Sequence, residues 1–333
     1  MMSSTIRDIA KLANTSKSTV SRYLNGQAVK KKTQEAIEKV IKDLNYHRNI
    51  HARRLVMSKT LTIGVVVEEI TNVFNTNILR GIEQIAKEKK FNCVFYSWSS
   101  NSNHEEGFLD LLHEGQVDGL ILISFKKRDK PLLNMIAESD YPIVLIGDSQ
   151  LTESVCAIDI DNSFGISEAV RHLHENNHRE IAYISGPKGA AATETRLQSY
   201  KSTMAQLGLK IRPEFIVDSN WTNETGHTAM QKLLSIGGFT AVAASNDETA
   251  IGAIKAVQEM GLQTPVDIAV TGFDDIPVAK WVYPSLTTIR QPFAEMGVVA
   301  AKELFKRIEK QDSADPMKHL LKPELVVRRS TIC

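Results

Sequence analysis

Cysteine is scarce in these 333 residues, with only Cys93, Cys156 and Cys333. Odd in number and without metal-ligand spacing, they exclude a disulfide framework and read as inert thiols of a reducing compartment. No apolar run approaches the roughly 18 residues of a membrane span, and the opening M-M-S-S-T-I-R lacks the apolar core of a signal peptide. The expectation is a cytoplasmic protein with no membrane partner. Signatures of catalysis are missing as well. There is no G-x-S-x-G and no C-x-x-C, and the loop G-P-K-G-A-A-A-T lacks the P-loop spacing. The nine histidines are scattered, and His172, His174 and His178 are assigned to an amphipathic helix and its end, not to a metal site. No paired acid and base stands out, so neither an enzyme nor a cofactor is expected.

What is present is an asymmetry of charge hidden under a net +1. Residues 1–60 hold 13 of the 40 Lys/Arg and four of the 39 acids, a net of +9; the remaining 27 basic and 35 acidic groups leave the rest at −8. A compact basic head on an acidic body points to a polyanion as partner of the head alone.

Thr5-Ile6-Arg7-Asp8 has the form of a capping box, so a helix begins there. Ile6, Ile9, Ala10 and Ala13 share one face; Asn14, which tolerates left-handed backbone angles, breaks the run, and Ser16 caps a second helix over 17–24. Val20 and Leu24 bury one side of that helix and turn Lys17, Ser18, Ser21 and Arg22 outward. A third helix is predicted from about Thr33 to Leu44, with Ile37, Val40, Ile41 and Leu44 as its core stripe. Three short helices close one small core. An α-helix fits the major groove, and the N-terminal residues of such a helix reach the base edges. Lys17, Ser18 and Arg22 are placed to do so, Arg22 as the bidentate partner of guanine. Ser16, Thr19, Ser21 and Asn25 can bond phosphates, and Thr5 is counted with this DNA-facing set.

Residues 5–25, T-I-R-D-I-A-K-L-A-N-T-S-K-S-T-V-S-R-Y-L-N, resemble the opening of the lactose/galactose repressor family, and the likeness extends to P-E-L-V-V-R-R-S at 323–330. The resemblance implies a helix-turn-helix, a hinge, and a ligand-binding core shaped like the periplasmic sugar-binding proteins. It also implies that the basic stretch after Leu44 folds in the minor groove. There Leu55 would wedge between base pairs on a segment entering through Asn49, Ala52 and Arg53, kinking the duplex. Family members usually carry proline where this chain has Arg48.

From Leu61 the pattern changes to short apolar runs at 61–67, 92–97, 117–123, 143–147, 155–160, 181–185, 241–245, 267–272 and 286–290, separated by amphipathic stretches. Continuous apolar strands alternating with helices mean parallel sheets covered on both faces, and about 270 residues suit two such lobes. The fold class is therefore α/β: an all-α helix-turn-helix head plus a two-lobed, periplasmic-binding-protein-like core of parallel sheets flanked by helices. By resemblance the chain crosses between lobes near 160, 290 and 320. That divides it into a DNA-binding domain (1–47), a hinge segment (48–60), an N-terminal lobe (61–160 and 291–320) and a C-terminal lobe (161–290 and 321–330).

In open α/β sheets ligands sit beyond the carboxyl ends of the strands. Phe74, Asp148, Asp161, Arg196, Trp221, Asn246, Asp247 and Asp274 follow strands, and each matches or falls close to a position the family uses for its effector. Paired Asp and Arg bonds to vicinal hydroxyls, with Trp221 stacked on a ring, suit a small sugar or polyol. Asp161 and Asp247 also stand where helix caps are needed. Glu68-Glu69, in place of a common Pro-Asp, weighs against a strongly anionic effector. Two other readings compete: a periplasmic-type binding protein predicts an export signal and no basic head, and a sugar-processing α/β enzyme predicts a catalytic constellation. The expected mechanism is a homodimer reading a pseudo-palindromic operator, its hinges governed by cleft closure. Absence of an added heptad segment after Arg329 favours a dimer over a tetramer.

Overall fold

The computed structural model describes residues 5–24, 26–46, 59–67, 70, 73–97, 107–124, 130–147, 155–309 and 317–332. The chain divides into two compact units, Met1–Lys59 and Thr60–Cys333.

The small unit is three helices. Thr5 and Asp8 form the capping box reciprocally, Thr5 N donating to Asp8 Oδ2 at 2.8 Å and Asp8 N to Thr5 Oγ1 at 3.4 Å, and α1 runs Ile6–Leu12. Asn14 takes the left-handed conformation (φ 46°) that ends the turn. Ser16 Oγ accepts from Thr19 N at 3.1 Å and so fixes the start of α2, Lys17–Leu24. The third helix, α3, spans Lys31–Asp43, beginning two residues before the expected Thr33 because Lys30 serves as N-cap without a side-chain bond. Ile9, Ala10, Ala13, Val20 and Ile37 form the buried centre, with Leu24, Val40, Ile41 and Leu44 packed around it.

The large unit contains two six-stranded sheets. Strands β1 (Thr62–Val67), β2 (Asn92–Ser97), β3 (Leu120–Ile123), β4 (Ile143–Ile146), β5 (Ala157–Ile160) and β11 (Lys318–Leu321) form the first, in the order β11-β5-β4-β3-β1-β2, every pair parallel. The second takes β6 (Ile181–Ile184), β7 (Ile216–Val217), β8 (Ala241–Ala244), β9 (Ala269–Asp274), β10 (Thr287–Arg290) and β12 (Glu324–Val326) in the order β12-β10-β9-β8-β6-β7. Only β12 runs antiparallel there. The central strands are buried along their whole length, as expected where helices cover both faces. The chain leaves the first sheet after β5, returns after β10 and leaves again after β11. Strands β7, β11 and β12 fall outside the runs read from the sequence; two are edge strands of two and three residues, and β11 alternates exposed with half-buried positions.

The covering helices are α4 (Val73–Glu88), α5 (Gly107–His113), α6 (Lys130–Glu138), α7 (Asn162–Glu175), α8 (Ala191–Gln206), α9 (Asn223–Ile236), α10 (Asp247–Glu259) and α11 (Phe293–Ile308). Two helix pairs meet backbone to backbone. A Cβ on Gly81 of α4 would lie 2.9 Å from Val298 N of α11, and one on Gly252 of α10 would lie 2.8 Å from His227 N of α9. Only glycine permits such spacing.

Candidate functional site

On the head, α2 leaves Lys17, Ser18 and Arg22 exposed along its outer face, while Val20 is fully buried and Thr19 and Ser21 half-buried. Two hydroxyls expected to bond phosphate, Ser16 and Thr19, are engaged with each other and with Ser18 of the base-reading set: Ser16 Oγ lies 2.8 Å from both Ser18 Oγ and Thr19 Oγ1. That ladder orients them and leaves the two cations free of side-chain partners among the described residues. Asn25, Asn49, Ala52, Arg53 and Leu55 lie outside the described residues, as do Asp148 and the side chain of Phe74.

In the core, a polar cluster gathers beyond the carboxyl ends of the second sheet. Arg196 projects from the second turn of α8 and is buried. Its Nε donates to Asn162 Oδ1 at 2.7 Å and its Nη1 to the Ser245 carbonyl at 2.6 Å, and the guanidinium lies 3.7 Å over the Phe273 ring. Asp274 ends β9 with φ 127°, a backbone conformation an L-residue adopts only when its surroundings enforce it. Its Oδ1 accepts from Gln291 Nε2. Burial pushes the Asp274 carboxyl well above the usual carboxylate range; the nearby Arg196 charge opposes that rise. The Arg196 guanidinium is itself pulled downward by burial and held up by Asp274. Each group thus opposes the shift that burial imposes on the other, and at both positions burial prevails.

Asn246 is the N-cap of α10, accepting from Thr249 N at 3.0 Å, and its Nδ2 donates to the Trp221 carbonyl at 3.1 Å. Trp221 is held at φ 64°, and its indole is packed so closely on Gly186 that a Cβ there would meet it; Nε1 is buried with no hydrogen-bond partner among the described residues. Hydrogen bonds thus link Arg196, through the Ser245 carbonyl and its chain neighbour Asn246, to Trp221, while Asp274 is bonded separately, to Gln291. Asp161 caps α7 through Phe164 N at 2.8 Å. Asp247 is fully buried; it accepts from Ile276 N at 2.8 Å and from the Thr288 hydroxyl, clamping three segments inside the second lobe. It does not cap α10, because Asn246 does.

Sequence reasoning missed Asn162 and Gln291, each the partner of a principal charged group. It also passed over H-E-N-N-H at 174–178, which has the spacing of a helical zinc pair. That spacing needs both histidines on one helix face, but α7 ends at Glu175, Asn177 turns left-handed (φ 67°) and His178 Nδ1 bonds Thr240 Oγ1 at 2.9 Å. Burial pushes the Cys93 thiol up to about 11 and raises that of Cys156, which keeps both protonated and unreactive.

A helix-turn-helix with an exposed cationic face, in one chain with a two-sheet core whose strand ends carry a buried arginine and a buried aspartate, defines a ligand-responsive DNA-binding regulator of transcription. Residues 5–49 match the family model described as bacterial regulatory proteins, lacI family, and residues 170–331 match that of a periplasmic binding protein-like domain. Catabolite control protein A of Priestia megaterium is 33% identical over 93% of this chain and 94% of its own length. Among solved structures, the Lac repressor dimer bound to operator and the anti-inducer ONPF superposes with a TM-score of 0.89 at 26% identity, over 100% of both chains. The transcriptional regulator CelR–cellobiose complex gives 0.74 at 32% identity, over 98% of this chain and 99% of that one. The chain belongs to the lacI family of bacterial regulatory proteins. Its relatives are transcriptional regulators, and among the described residues no helix is long and apolar enough to cross a membrane.

Proposed function

We propose that this protein is a transcriptional repressor, acting inside the cell and without turnover, whose operator affinity is set by a small neutral sugar or polyol bound between the lobes. The observation that carries the reading is a buried polar cluster beyond the strand ends: Arg196 donates to Asn162 and to the Ser245 carbonyl, Asp274 accepts from Gln291, and the Trp221 indole N–H is buried without a partner among the described residues. A neutral polyol offers donors and acceptors to that set without adding a further buried charge. CelR has been solved with cellobiose, which is the same ligand chemistry on a relative. Lys17, Ser18 and Arg22 read base edges, Thr5, Ser16, Thr19 and Ser21 dock on phosphates, and Leu55, with Asn49, Ala52 and Arg53, supplies the wedge.

The partner of this chain is a second copy. Trp281 and Tyr283 are 78% and 83% exposed on the second lobe, with Val278 beside them. A monomer gains nothing from such a patch, and two-fold pairing buries it while presenting two heads to two half-sites. The test is selection of duplexes from a random library by the full-length protein. Binding must fall steeply with salt and discriminate the selected duplex from random DNA. A thermal-shift screen of sugars, polyols and sugar acids then identifies the effector class. Selection of no duplex above background discards the reading.

A further inference from the structure

Each principal charged group of the cluster is hydrogen-bonded to a residue on a lobe crossover. Asn162, which takes the Arg196 bond at 2.7 Å, is the second residue after β5, where the chain first leaves the first sheet. Gln291, which donates to Asp274, directly follows β10, where the chain returns. The third crossover is tied as well: Lys322, between β11 and β12, places its Nζ 4.1 Å over the ring of Phe164, in the first turn of α7. Asp161 N also donates to the Leu321 carbonyl at 2.8 Å, joining the first and third crossovers. Asn162 and Gln291 are both buried, and neither has a part in the sheets. Their bonds are chemically distinct, since Asn162 must accept and Gln291 must donate.

We propose that Asn162 and Gln291 are the positioning residues through which occupancy of the Arg196–Asp274 pair is passed to the lobe crossovers and so to DNA affinity. This rests on the regulator reading above. A ligand hydroxyl that bonds Arg196 or Asp274 competes with or redirects these two bonds, and each partner sits at the root of a connection between sheets. A change in the pair therefore acts on the crossovers without an intervening side chain. By the same logic, cutting the bonds in the ligand-free protein biases the lobe equilibrium that a ligand would bias.

The experiment uses the full-length protein, the duplex that the wild type selects from a random library, and no added sugar. Affinity is measured by fluorescence anisotropy for Asn162→Ala, Asn162→Asp, Gln291→Ala and Gln291→Met. Asn162→Asp keeps an acceptor for Arg196 and should bind like the wild type. Gln291→Met keeps size but loses the donor, and it should behave as Gln291→Ala does. The three bond-breaking variants should differ from the wild type by at least about five-fold, in one common direction. Tyr200→Phe is the stability control: it loses a buried 2.7 Å bond to the Ile181 carbonyl, in which neither Asn162 nor Gln291 takes part, and should lower Tm without moving DNA affinity. If an alanine variant does not fold, the near-isosteric Gln291→Met decides. Folded bond-breaking variants that bind the selected duplex as tightly as the wild type overturn the proposal, and so does an equal shift in Tyr200→Phe. If the wild type selects no duplex, it is the regulator reading that fails, and this inference falls with it.

Discussion

Gly252→Ala sets two physical effects of opposite sign against each other. In a helix interior, alanine is favoured over glycine by about 1 kcal/mol, because glycine gives up more backbone freedom on folding. At this position, however, the added methyl would press into the Asn223 carbonyl and lie 2.8 Å from His227 N, when ordinary contact begins near 3.4 Å. Both obstacles are backbone of α9, so no rotamer change relieves them and the two helices must separate by several tenths of an ångström. Gly226 makes the reciprocal approach, its Cβ position lying 2.6 Å from Thr249 Cα, so both sides of the crossing are already at their limit. Overpacking of this kind costs about 1–3 kcal/mol where side chains can yield, and the upper end applies when only backbone can move. The net expectation is a loss of about 2 kcal/mol, or roughly 4–8 °C in Tm at the size of this core. Circular-dichroism melts and urea unfolding of the full chain measure it. Because α9 begins two residues after Trp221 and α10 is capped by Asn246, the same variant should loosen the bond between Asn246 and the Trp221 carbonyl. An unchanged or raised Tm would show that the helices slide apart at no cost, and the argument from close approach would be wrong.

Three further outcomes are expected. Arg22→Ala should weaken binding to the selected duplex by about 1–3 kcal/mol and relax preference at a single base position, measured by repeating the selection with the variant; uniform weakening on all sequences would make Arg22 a phosphate contact. Burial pushes Asp247 up to about 6 from its ordinary 3.8, so the folded chain holds a proton that the unfolded chain releases. The stability that this group contributes is present below its unfolded value and is lost as pH rises through about 6. The unfolding free energy of the wild type minus that of Asp247→Asn should therefore shrink from pH 4 to pH 7, and a difference flat across that range would refute the burial argument. Trp281→Asp together with Tyr283→Asp should convert dimer to monomer in sedimentation equilibrium; a dimer that persists would move the self-association surface elsewhere.

The head was legible because its signals are local. Ile6, Ile9 and Ala10 repeat at helical spacing, Asn14 supplies the left-handed stop, and Thr5 and Asp8 bond each other across one turn. The central strands were legible because burial on both faces demands continuous apolar runs such as L-I-L-I at β3 and I-V-L-I at β4. Edge strands escape that logic: Lys318 and Leu320 of β11 face solvent, and the two-residue β7 leaves no pattern to detect. At the cluster, neighbouring Asn246 and Asp247 are both good caps, and only the backbone path decides that the amide caps while the acid turns inward. Asn162 and Gln291 carry no motif at all. Their roles come from contacts across 34 and 17 residues, which periodicity cannot register.

Topology restricts how the core can govern the head. Lys59 ends the small unit, and Thr60 and Leu61 donate their backbone N–H groups to the two carboxylate oxygens of Asp118 at 2.7 and 2.8 Å, so the chain enters the first sheet already fixed. Arg196, Asn246, Trp221 and Asp274 all belong to the second. A signal that starts at the second sheet and ends at residue 59 must pass to the first sheet, and the covalent routes are the three crossovers. Bonds to Arg196 and Asp274 sit on two of those routes and the Phe164–Lys322 contact spans the third, so the cluster acts on the first sheet through the crossovers, alongside the apolar core that the two sheets share. A ligand that engaged Trp221 and Asn246 alone would bind without regulating, because neither is bonded to a crossover residue among those described. On the coupling proposed above, a ligand that regulates is expected to contact Arg196 or Asp274, whatever else it touches.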